Sequence, residues 1–596
     1  MSVAALTGWA SARVEGRSPA DPSHAVLDAL SRTFRLSRFE RAVLTLCAAV
    51  ELDDAFARRV TATFGLALRI LPDPHWSALA PWAPLRHWRL IDVAAGQALT
   101  SAALRVDERI LCLLAGVDGM DPRVAACVRP LTAPVDALPA LAAAADATAR
   151  AIESGGPWPV VQLVGERPSE LESVAAMACA RLGLRAHVVS AAGELPDRRL
   201  WEREAALSGA VLVVALEDAG AVRRFADGLL APLVVAGRAP VASLRDALRL
   251  EVAPPSASER RARWRSALGA EAAASLDGQL DAIAGQFELD AVQVRAAGRE
   301  ALAGDPAGTL GDRLWRACRS RSRPPLDDLA QRIVADASWD DLVLPEAERT
   351  TLLQIAAQVR RRTTVYEDWG FGRRGARGLG ITAMFAGDSG TGKTLAAEVL
   401  ACELGLDLFR IDLSSVVSKY IGETEKNLRR VFEAAEQGSA VLLFDEADAL
   451  FGKRTEVRDS HDRFANIEVS YLLQRMEAYR GLAILTTNQR EALDTAFLRR
   501  IRFVVEFPFP GPAERAAIWR RAFPPPAPLD GIDPEALAAL TIPGGTIRNV
   551  ALGAAFLAAD EERPVRMADV LRAARTEYAK LERRLDAHEI HDLVEA

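Results

Sequence analysis

The chain has 596 residues, 50% of them apolar, a formal net charge of −7 and six cysteines. Such a length exceeds one hydrophobic core and leads to several domains of roughly 100–200 residues each, while acids and bases mixed along the chain give no field that would draw nucleic acid or an anionic membrane. Cys47, Cys112, Cys127, Cys179, Cys318 and Cys402 stand singly in apolar helical surroundings, without CxxC or metal-type spacing, which excludes a disulfide framework and leads to buried thiols in a reducing cytoplasm.

The opening MSVAALTGWASARVEGRSPADPS has no basic start followed by an apolar run, so no signal peptide is expected. No apolar run reaches the ~18 residues of a membrane span, and a cytoplasmic protein is expected. Residues 21 to 70 carry helical periodicity, then LRHWRLIDV reads as a short β-like run and LTSAALRVDERILCLLAG as a turn and an amphipathic helix. Helices followed by a small hairpin predict a helical, winged-helix domain over 1–130. Its arginines and acids nearly balance, which favours contact with protein over DNA.

Residues 131–155, rich in Ala and Pro, read as a linker ending in a helix. From 156 to 320 strands (VVQLVG, AHVVS, AVLVVAL, PLVVAG) alternate with helices, the pattern of a parallel sheet wrapped by helices. A second linker, 321–335, contains Pro324-Pro325, which breaks any helix. The α/β alternation then repeats over 336–510, a helical segment covers 511–585, and 586–596 is a polar tail.

The first lysine of the chain is Lys393, so chemistry that needs one lies in the last third. It belongs to Gly387-Asp388-Ser389-Gly390-Thr391-Gly392-Lys393-Thr394, a GxxxxGK[ST] loop between the strand ITAMFA and the helix TLAAEVLACEL. Glycines let backbone N–H groups converge on phosphate oxygens at a helix N-terminus; Lys393 suits the β- and γ-phosphates, and Thr394 offers a hydroxyl to Mg²⁺. The apolar strand Val441 to Phe444 delivers two carboxylates beside that loop. Asp445 suits holding Mg²⁺ and Glu446 suits polarising the attacking water. ATP and Mg²⁺ are the cofactors expected.

Together these residues resemble the AAA+ ATPases, specifically the AAA protein-remodelling branch, across roughly 335–580. The resemblance implies an α/β P-loop NTPase fold with a parallel sheet and a helical lid. It implies that Asn488, in Leu485-Thr486-Thr487-Asn488, orients the lytic water, and that Arg500, with Arg499 as second choice, reaches a neighbouring subunit as an arginine finger. Arg548, in Gly544-Gly545-Thr546-Ile547-Arg548, falls where many relatives carry a second sensor of the nucleotide. Ser418-Lys419-Tyr420-Ile421-Gly422-Glu423 resembles the first pore loop, so Lys419, Tyr420, Ile421 and Gly422 are expected at the axis of a ring, most often of six. The charged stretch Lys453 to Arg463 is the expected place of a second pore loop. FDEADALFGKR, the DSHDRFANIEVSYLLQRMEAYRGLAILTTN run and the N-terminal domain are similar to bacterial AAA ATPases found with phage-tail-like contractile injection systems.

The 156–320 segment repeats this frame. With Gly165 laid on Gly387, Ala175 meets Ala397 and Leu182-Gly183-Leu184 meets Leu404-Gly405-Leu406 without a gap. Ala215 and Leu216 then stand for Asp445 and Glu446, Gly237 for Asn488, Glu259-Arg260 to Trp264 for Glu514-Arg515 to Trp519, and Val294-Arg295 for Ile547-Arg548. Glu170, Leu171 and Glu172 replace Gly392, Lys393 and Thr394, and a carboxylate at a phosphate cradle repels its ligand. A degenerate AAA-like domain without nucleotide is expected there. The function expected is an ATP-hydrolysing remodelling motor, a homo-oligomeric ring acting on a protein substrate or adaptor. The alternatives are an ATP-dependent switch or scaffold without threading, and a DNA-acting initiator or loader.

Overall fold

Capping chemistry and apolar periodicity set the first helices. Ser37 accepts from the Glu40 amide while the Glu40 carboxylate accepts from the Ser37 amide, a reciprocal cap that starts the helix Arg38–Leu52. The computed structural model describes residues 3–580 except 97, 135–137, 155–159, 190–193, 216–217, 243, 245–246, 277, 305–307, 325, 327, 375–379, 414–422, 439, 448–469 and 489–497. The chain divides into two units, Met1–Ser256 and Ala257–Ala596.

The first unit opens with α1 (Val3–Val14), α2 (Ala25–Thr33), α3 (Arg38–Leu52) and α4 (Phe64–Ile70), followed by an antiparallel pair, β1 (Ile91–Val93) and β2 (Leu104–Val106), and α5 (Glu108–Leu114). The β-like run expected over 85–93 is strand only at its end. Pro84 at a first helical position starts a helical turn through His87, and Arg89 at φ 49 turns the chain before Ile91.

β3 (Val128–Pro130), α6 (Pro139–Glu153), β4 (Val160–Val164), α7 (Pro168–Arg181), β5 (Arg185–Val189), α8 (Arg198–Ser208), β6 (Ala210–Val214), α9 (Ala219–Ala226), β7 (Leu233–Gly237) and β8 (Leu248–Glu251) complete this unit. The sheet order is β8-β4-β7-β6-β5-β3, parallel except for β3. Residues 131–155, expected as a linker ending in a helix, contain α6, which buries Leu141, Ala145 and Ile152 in one core with Leu171 and Val174 of α7.

A buried ionic cluster joins the N-terminal helices to this sheet domain. Arg203 of α8, wholly buried, donates to Asp121 at 2.6 Å and to the Arg89 carbonyl at 2.6 Å, and lies 3.1 Å from Asp107. Burial pushes Asp121 up, but hydrogen bonds from Arg123 and the nearby Arg203 charge hold it below the usual carboxylate range. Burial wins at Glu204, which is raised despite Arg109 and Arg203.

The second unit begins with five helices, α10 (Ala257–Leu268), α11 (Ala270–Ala274), α12 (Gln279–Gln286), α13 (Ala291–Ala303) and α14 (Leu310–Arg321). β9 (Gln331–Ile333), α15 (Glu346–Thr363), β10 (Ile381–Ala386), α16 (Lys393–Leu404), β11 (Leu408–Asp412), α17 (Glu423–Gly438), β12 (Val441–Asp445), β13 (Leu482–Thr487) and β14 (Phe503–Glu506) follow. The chain ends, among the described residues, with α18 (Pro512–Ala522), β15 (Leu529–Asp530), α19 (Pro534–Leu537), α20 (Gly544–Asp560), β16 (Val565–Arg566) and α21 (Met567–Lys580). The sheet order is β14-β10-β13-β12-β11-β9, parallel except for β9. Every residue of β10 and β13 is buried, as expected for parallel strands covered on both faces.

Position for position, this is the order of the first sheet, down to an antiparallel edge strand on the same side. Registers agree as well. Val164 faces Gly237 as Ala386 faces Thr487, and Val164 faces Glu251 as Ala386 faces Glu506. Carried across β7 to β6, the same pairing sets Leu212 on Leu442 and therefore Ala215 on Asp445. One assignment shifts: Gly237 occupies the place of Thr487, so the place of Asn488 falls on Arg238, one residue beyond the alignment read from sequence. The helices repeat too. Arg260 donates to the Ala284 carbonyl at 3.1 Å and Arg515 to the Ala538 carbonyl at 2.8 Å, and each lies four residues before a buried tryptophan, Trp264 or Trp519.

Of the cysteines, Cys47, Cys179 and Cys318 are buried, and burial pushes the Cys47 and Cys179 thiols up to about 12. Cys402 is exposed and Cys112 and Cys127 are intermediate, against the expectation that all are buried. No helix among the described residues is long and apolar enough to cross a membrane.

Candidate functional site

The loop Gly387–Gly392 leaves the end of β10 and enters α16 at Lys393. Three of its residues need glycine. Gly387 has φ 154, and a Cβ there would lie 2.3 Å from the Phe507 carbonyl oxygen; Gly390 and Gly392 have φ 78 and 103. Lys393, largely buried, folds its ammonium back over the loop and donates to the carbonyls of Gly387 at 2.6 Å and Asp388 at 2.9 Å. It also donates to Asn488 Oδ1 at 2.8 Å, so the sensor strand and the loop meet at one cation.

Asp445 and Glu446 stand at the end of β12, one strand beyond β13. Thr486 donates its hydroxyl to Asp445 Oδ1, and Arg410 of β11 lies 2.6 Å from Asp445 Oδ2. Glu446 has φ 55, rare for a residue with a side chain, and its amide is 3.2 Å from Thr486 Oγ1. A main-chain kink thus turns an exposed carboxylate out of the strand end. The start of α20 lies on the loop: the Gly545 amide donates to the Gly390 carbonyl at 2.8 Å, and a Cβ on Gly545 would sit 3.1 Å from Gly390 Cα.

The structure therefore brings together Gly387 to Thr394, Asp445, Glu446 and Asn488. Arg548 lies on α20, and its charge acts on Glu398 of α16: burial pushes Glu398 above the usual carboxylate range, and the Arg548 charge draws it back. Arg499 and Arg500 are exposed, and Arg500 lies 3.7 Å from Glu477. Lys419, Tyr420, Ile421 and Gly422, and the charged stretch from Lys453 to Arg463, lie outside the described residues.

Arg410, Thr486 and Gly545 were not singled out in sequence. A lone arginine in the apolar strand LFRID, next to an acidic strand, was the available signal for the first. A Gly-Gly pair opening a helix was the signal for the last.

ATP with Mg²⁺ fits these residues. The cradle is one that a Cβ at any of three glycines would strain or block, with a lysine at its rim. Thr394 and Asp445 are oxygen donors for a hard cation. A hard cation of this kind is held by one or two protein oxygens together with phosphate oxygens and water.

The matching place in the first unit is built differently. Gly165 keeps the strand-end geometry, a Cβ there lying 2.9 Å from the Val252 carbonyl, and its amide donates to Gly237 as that of Gly387 does to Thr487. But α7 starts at Pro168, so the positions of Gly390 and Gly392, with the turn between them, become the first turn of a helix. Glu170 is buried, 3.3 Å from Arg167. Leu171, in place of Lys393, is buried in the apolar core, and Glu172, in place of Thr394, lies 2.7 Å from Arg129.

A phosphate loop at the end of a central parallel strand, acids at the end of the strand two places over and a polar sensor between them define a P-loop ATPase core. Residues 383–510 match the AAA family, "ATPase family associated with various cellular activities", and residues 256–324 match the contractile injection system ATPase helical domain. The chain therefore carries an AAA ATPase domain preceded by a helical domain of that second kind. It is similar to an uncharacterized AAA family ATPase, y4kL, of Sinorhizobium fredii, at 36% identity over 32% of this chain and 56% of the relative. It is also similar to the ATP-dependent zinc metalloprotease FtsH 3 of Sphaerobacter thermophilus, at 33% over 38% of this chain and 49% of the relative. A third relative is the 26S proteasome subunit RPT4 of Saccharomyces cerevisiae, at 33% over 33% and 48% respectively. The chain spans about half the length of these curated relatives.

Proposed function

We propose that the chain is a Mg²⁺-dependent ATPase that assembles as a homo-oligomeric ring, of six by family habit, and remodels a protein partner in the cytoplasm. The observation that carries the ATPase reading is the meeting of Lys393 with both the loop carbonyls and Asn488, beside Asp445 and Glu446. Bound Mg²⁺ would supply charge neutralisation on the phosphates, held by Thr394 and Asp445. Lys393 binds the terminal phosphates, Glu446 accepts a proton from the attacking water, Asn488 orients that water, and Arg548 senses the nucleotide from the lid. Arg500, or Arg499 beside it, serves a neighbouring subunit, which fits their exposure in the single chain. The matched helical domain supports a place beside a contractile injection system.

In this reading residues 156–320 form a degenerate AAA-like domain, and residues 1–130 a helical or winged-helix domain for protein contact. The identical strand order supports the first, and the β1–β2 pair among helices supports the second. The closed cradle at Glu170 and Leu171 supports a scaffold without nucleotide.

The test is the Glu446→Gln chain with ATP. It should bind nucleotide without hydrolysing it and sediment as a ring; a monomer at saturating ATP sinks the ring. Tyr420→Ala separates threading from a simple switch, since only a threading motor loses work on its substrate while keeping hydrolysis.

A further inference from the structure

The five helices α10 to α14 follow the first sheet in sequence, yet within the second unit they share a core with the ATPase domain. Leu314, Ala317 and Cys318 of α14 belong to the same buried cluster as Ala397, Leu400, Ala401 and Leu404 of α16, the helix that begins at Lys393. The contact concentrates at the far end of that helix. Gly405, its C-terminal cap at φ 63, has its carbonyl taken by the indole N–H of Trp315 at 2.8 Å. Carbonyls at a helix C-terminus have no partner within the helix, so this bond satisfies one of them.

The approach leaves no slack. A Cβ on Gly405 would lie 2.7 Å from Trp315 Nε1, and the indole is fixed on its other side by Phe287 of the segment after α12, edge to face at 4.9 Å. Two residues on, the Asp407 carboxylate receives three guanidiniums: Arg319 of α14 at 3.8 Å, Arg323 at 3.1 Å and Arg332 of β9 at 3.8 Å. Glu403, in the last turn of α16, takes the Trp339 indole at 3.1 Å and Arg360 at 2.7 Å.

The first unit supplies an internal control. Gly183 matches Gly405 in place and in conformation, with φ 68, but among the described residues nothing lies within 4 Å of a Cβ there, and Arg185 stands in place of Asp407. The frame needs a left-handed glycine at this corner in both copies. Only the copy with a phosphate loop has, among the described residues, an indole and three arginines seated on it.

We infer that α14 is a positioning clamp on the phosphate-loop helix, closing through two contacts, Trp315 on Gly405 and Arg319 on Asp407, so that nucleotide at one end of α16 and the seating of the preceding helical domain at the other are coupled. α16 has 12 residues, about 18 Å at 1.5 Å per residue, short enough to move as a rod. Displacement at Gly405 then reaches Lys393. Coupling between two sites is reciprocal: if seating of α14 favours nucleotide, nucleotide must tighten α14 by the same factor.

The inference rests on nucleotide binding at Lys393, and the experiment separates the two. Hydrogen exchange of residues 310–321 is followed in the full Glu446→Gln chain with and without ATP and Mg²⁺, beside equilibrium binding of a fluorescent ATP analogue to wild type, Trp315→Phe, Asp407→Asn and Asp407→Glu. Trp315→Phe keeps an aromatic ring and removes the N–H. The expected result is slower exchange in 310–321 with nucleotide, and affinity weakened roughly fivefold or more by Trp315→Phe and Asp407→Asn, the lower end of common couplings, with Asp407→Glu restoring it. Unchanged exchange in a chain that binds nucleotide overturns the clamp and leaves the ATPase standing. So do affinities within about twofold of wild type, the scatter expected of surface substitutions that touch no coupled element. A wild type that binds no nucleotide overturns both. The exchange measurement needs neither contact altered, so it decides even where a variant fails to fold.

Discussion

Two sheets of one topology, the second with a glycine-rich phosphate loop and the first with a helix starting at Pro168 in its place, predict a binding stoichiometry of one ATP per chain, and none after Lys393→Ala. The magnitude follows from two differences at the first cradle. Leu171 in place of Lys393 removes a charge-assisted bond worth about 1.5–3 kcal/mol. Glu170, buried in place of Gly392, sets a carboxylate against phosphate, about 4 kcal/mol for like charges 4 Å apart at an effective dielectric constant of 20. Arg167, 3.3 Å from Glu170, offsets part of the second term. Halving it leaves about 4 kcal/mol in all, close to a thousandfold in affinity. A micromolar second site thus corresponds to a millimolar first one, beyond the reach of calorimetry at micromolar nucleotide. Titration calorimetry of the full chain, with Lys393→Ala beside wild type, reads the result directly. Two equivalents per wild-type chain, or one that survives Lys393→Ala, refutes the reasoning.

Three further outcomes follow from the same geometry. Arg203→Met leaves Asp107 and Asp121 buried with one cation fewer, and should destabilise the first unit by about 3 kcal/mol, measured by urea unfolding. Because Asp121 is held below its ordinary value, its share of stability is complete above about pH 4 and is lost as pH falls through the depressed value; this acid slope should shrink in Arg203→Met. Arg410→Ala frees Asp445 of a half-exposed partner worth up to about 1 kcal/mol, so the Mg²⁺ needed for half-maximal nucleotide binding should fall two- to fivefold, roughly; an unchanged Mg²⁺ requirement counts against Asp445 as the metal-holding group. Arg500→Ala should lower hydrolysis by about a thousandfold while sparing nucleotide affinity, and wild-type subunits added in excess should restore turnover, as a residue acting on its neighbour requires.

The loop and the two acids were legible because each obeys a rule with a physical cause at fixed spacing, whereas the sensor Asn488 came from the resemblance alone. Glycines at 387, 390 and 392, a lysine opening a helix, and acids ending an apolar run state their geometry in residue type alone. The repeat was legible for the same reason: apolar strands, Gly183 against Gly405 and Trp264 against Trp519 keep their places. What stayed hidden depended on partners distant in sequence. Nothing in LFRID says that Arg410 will meet Asp445, because the meeting is made by strand neighbours, not by spacing. The one-residue shift at Gly237 has a similar origin. A glycine-ended strand resembles a sensor strand from either register, and only the pairing of Val164 with Gly237 decides. The helix that ends residues 131–155 was legible, but not that its Leu141 and Ile152 join a core with Leu171 and Val174, since Ala-rich sequence does not name the helix it packs on.

The two copies also show which parts of such a domain are separable. The sheet is held by apolar side chains spread over its central strands, whereas phosphate binding rests on one loop and two strand ends. Starting α7 at Pro168 instead of after a glycine turn removes that loop and leaves β4, β6 and β7 in register. The helical part answers to a different constraint. Trp315 and Arg319, at the end of the helices α10 to α14, meet Gly405 and Asp407. Among the described residues nothing lies within 4 Å of a Cβ at the left-handed corner Gly183, whereas the matching corner at Gly405 is occupied. In the proposed clamp the helices α10 to α14 serve α16, a mechanical role that needs no nucleotide of their own.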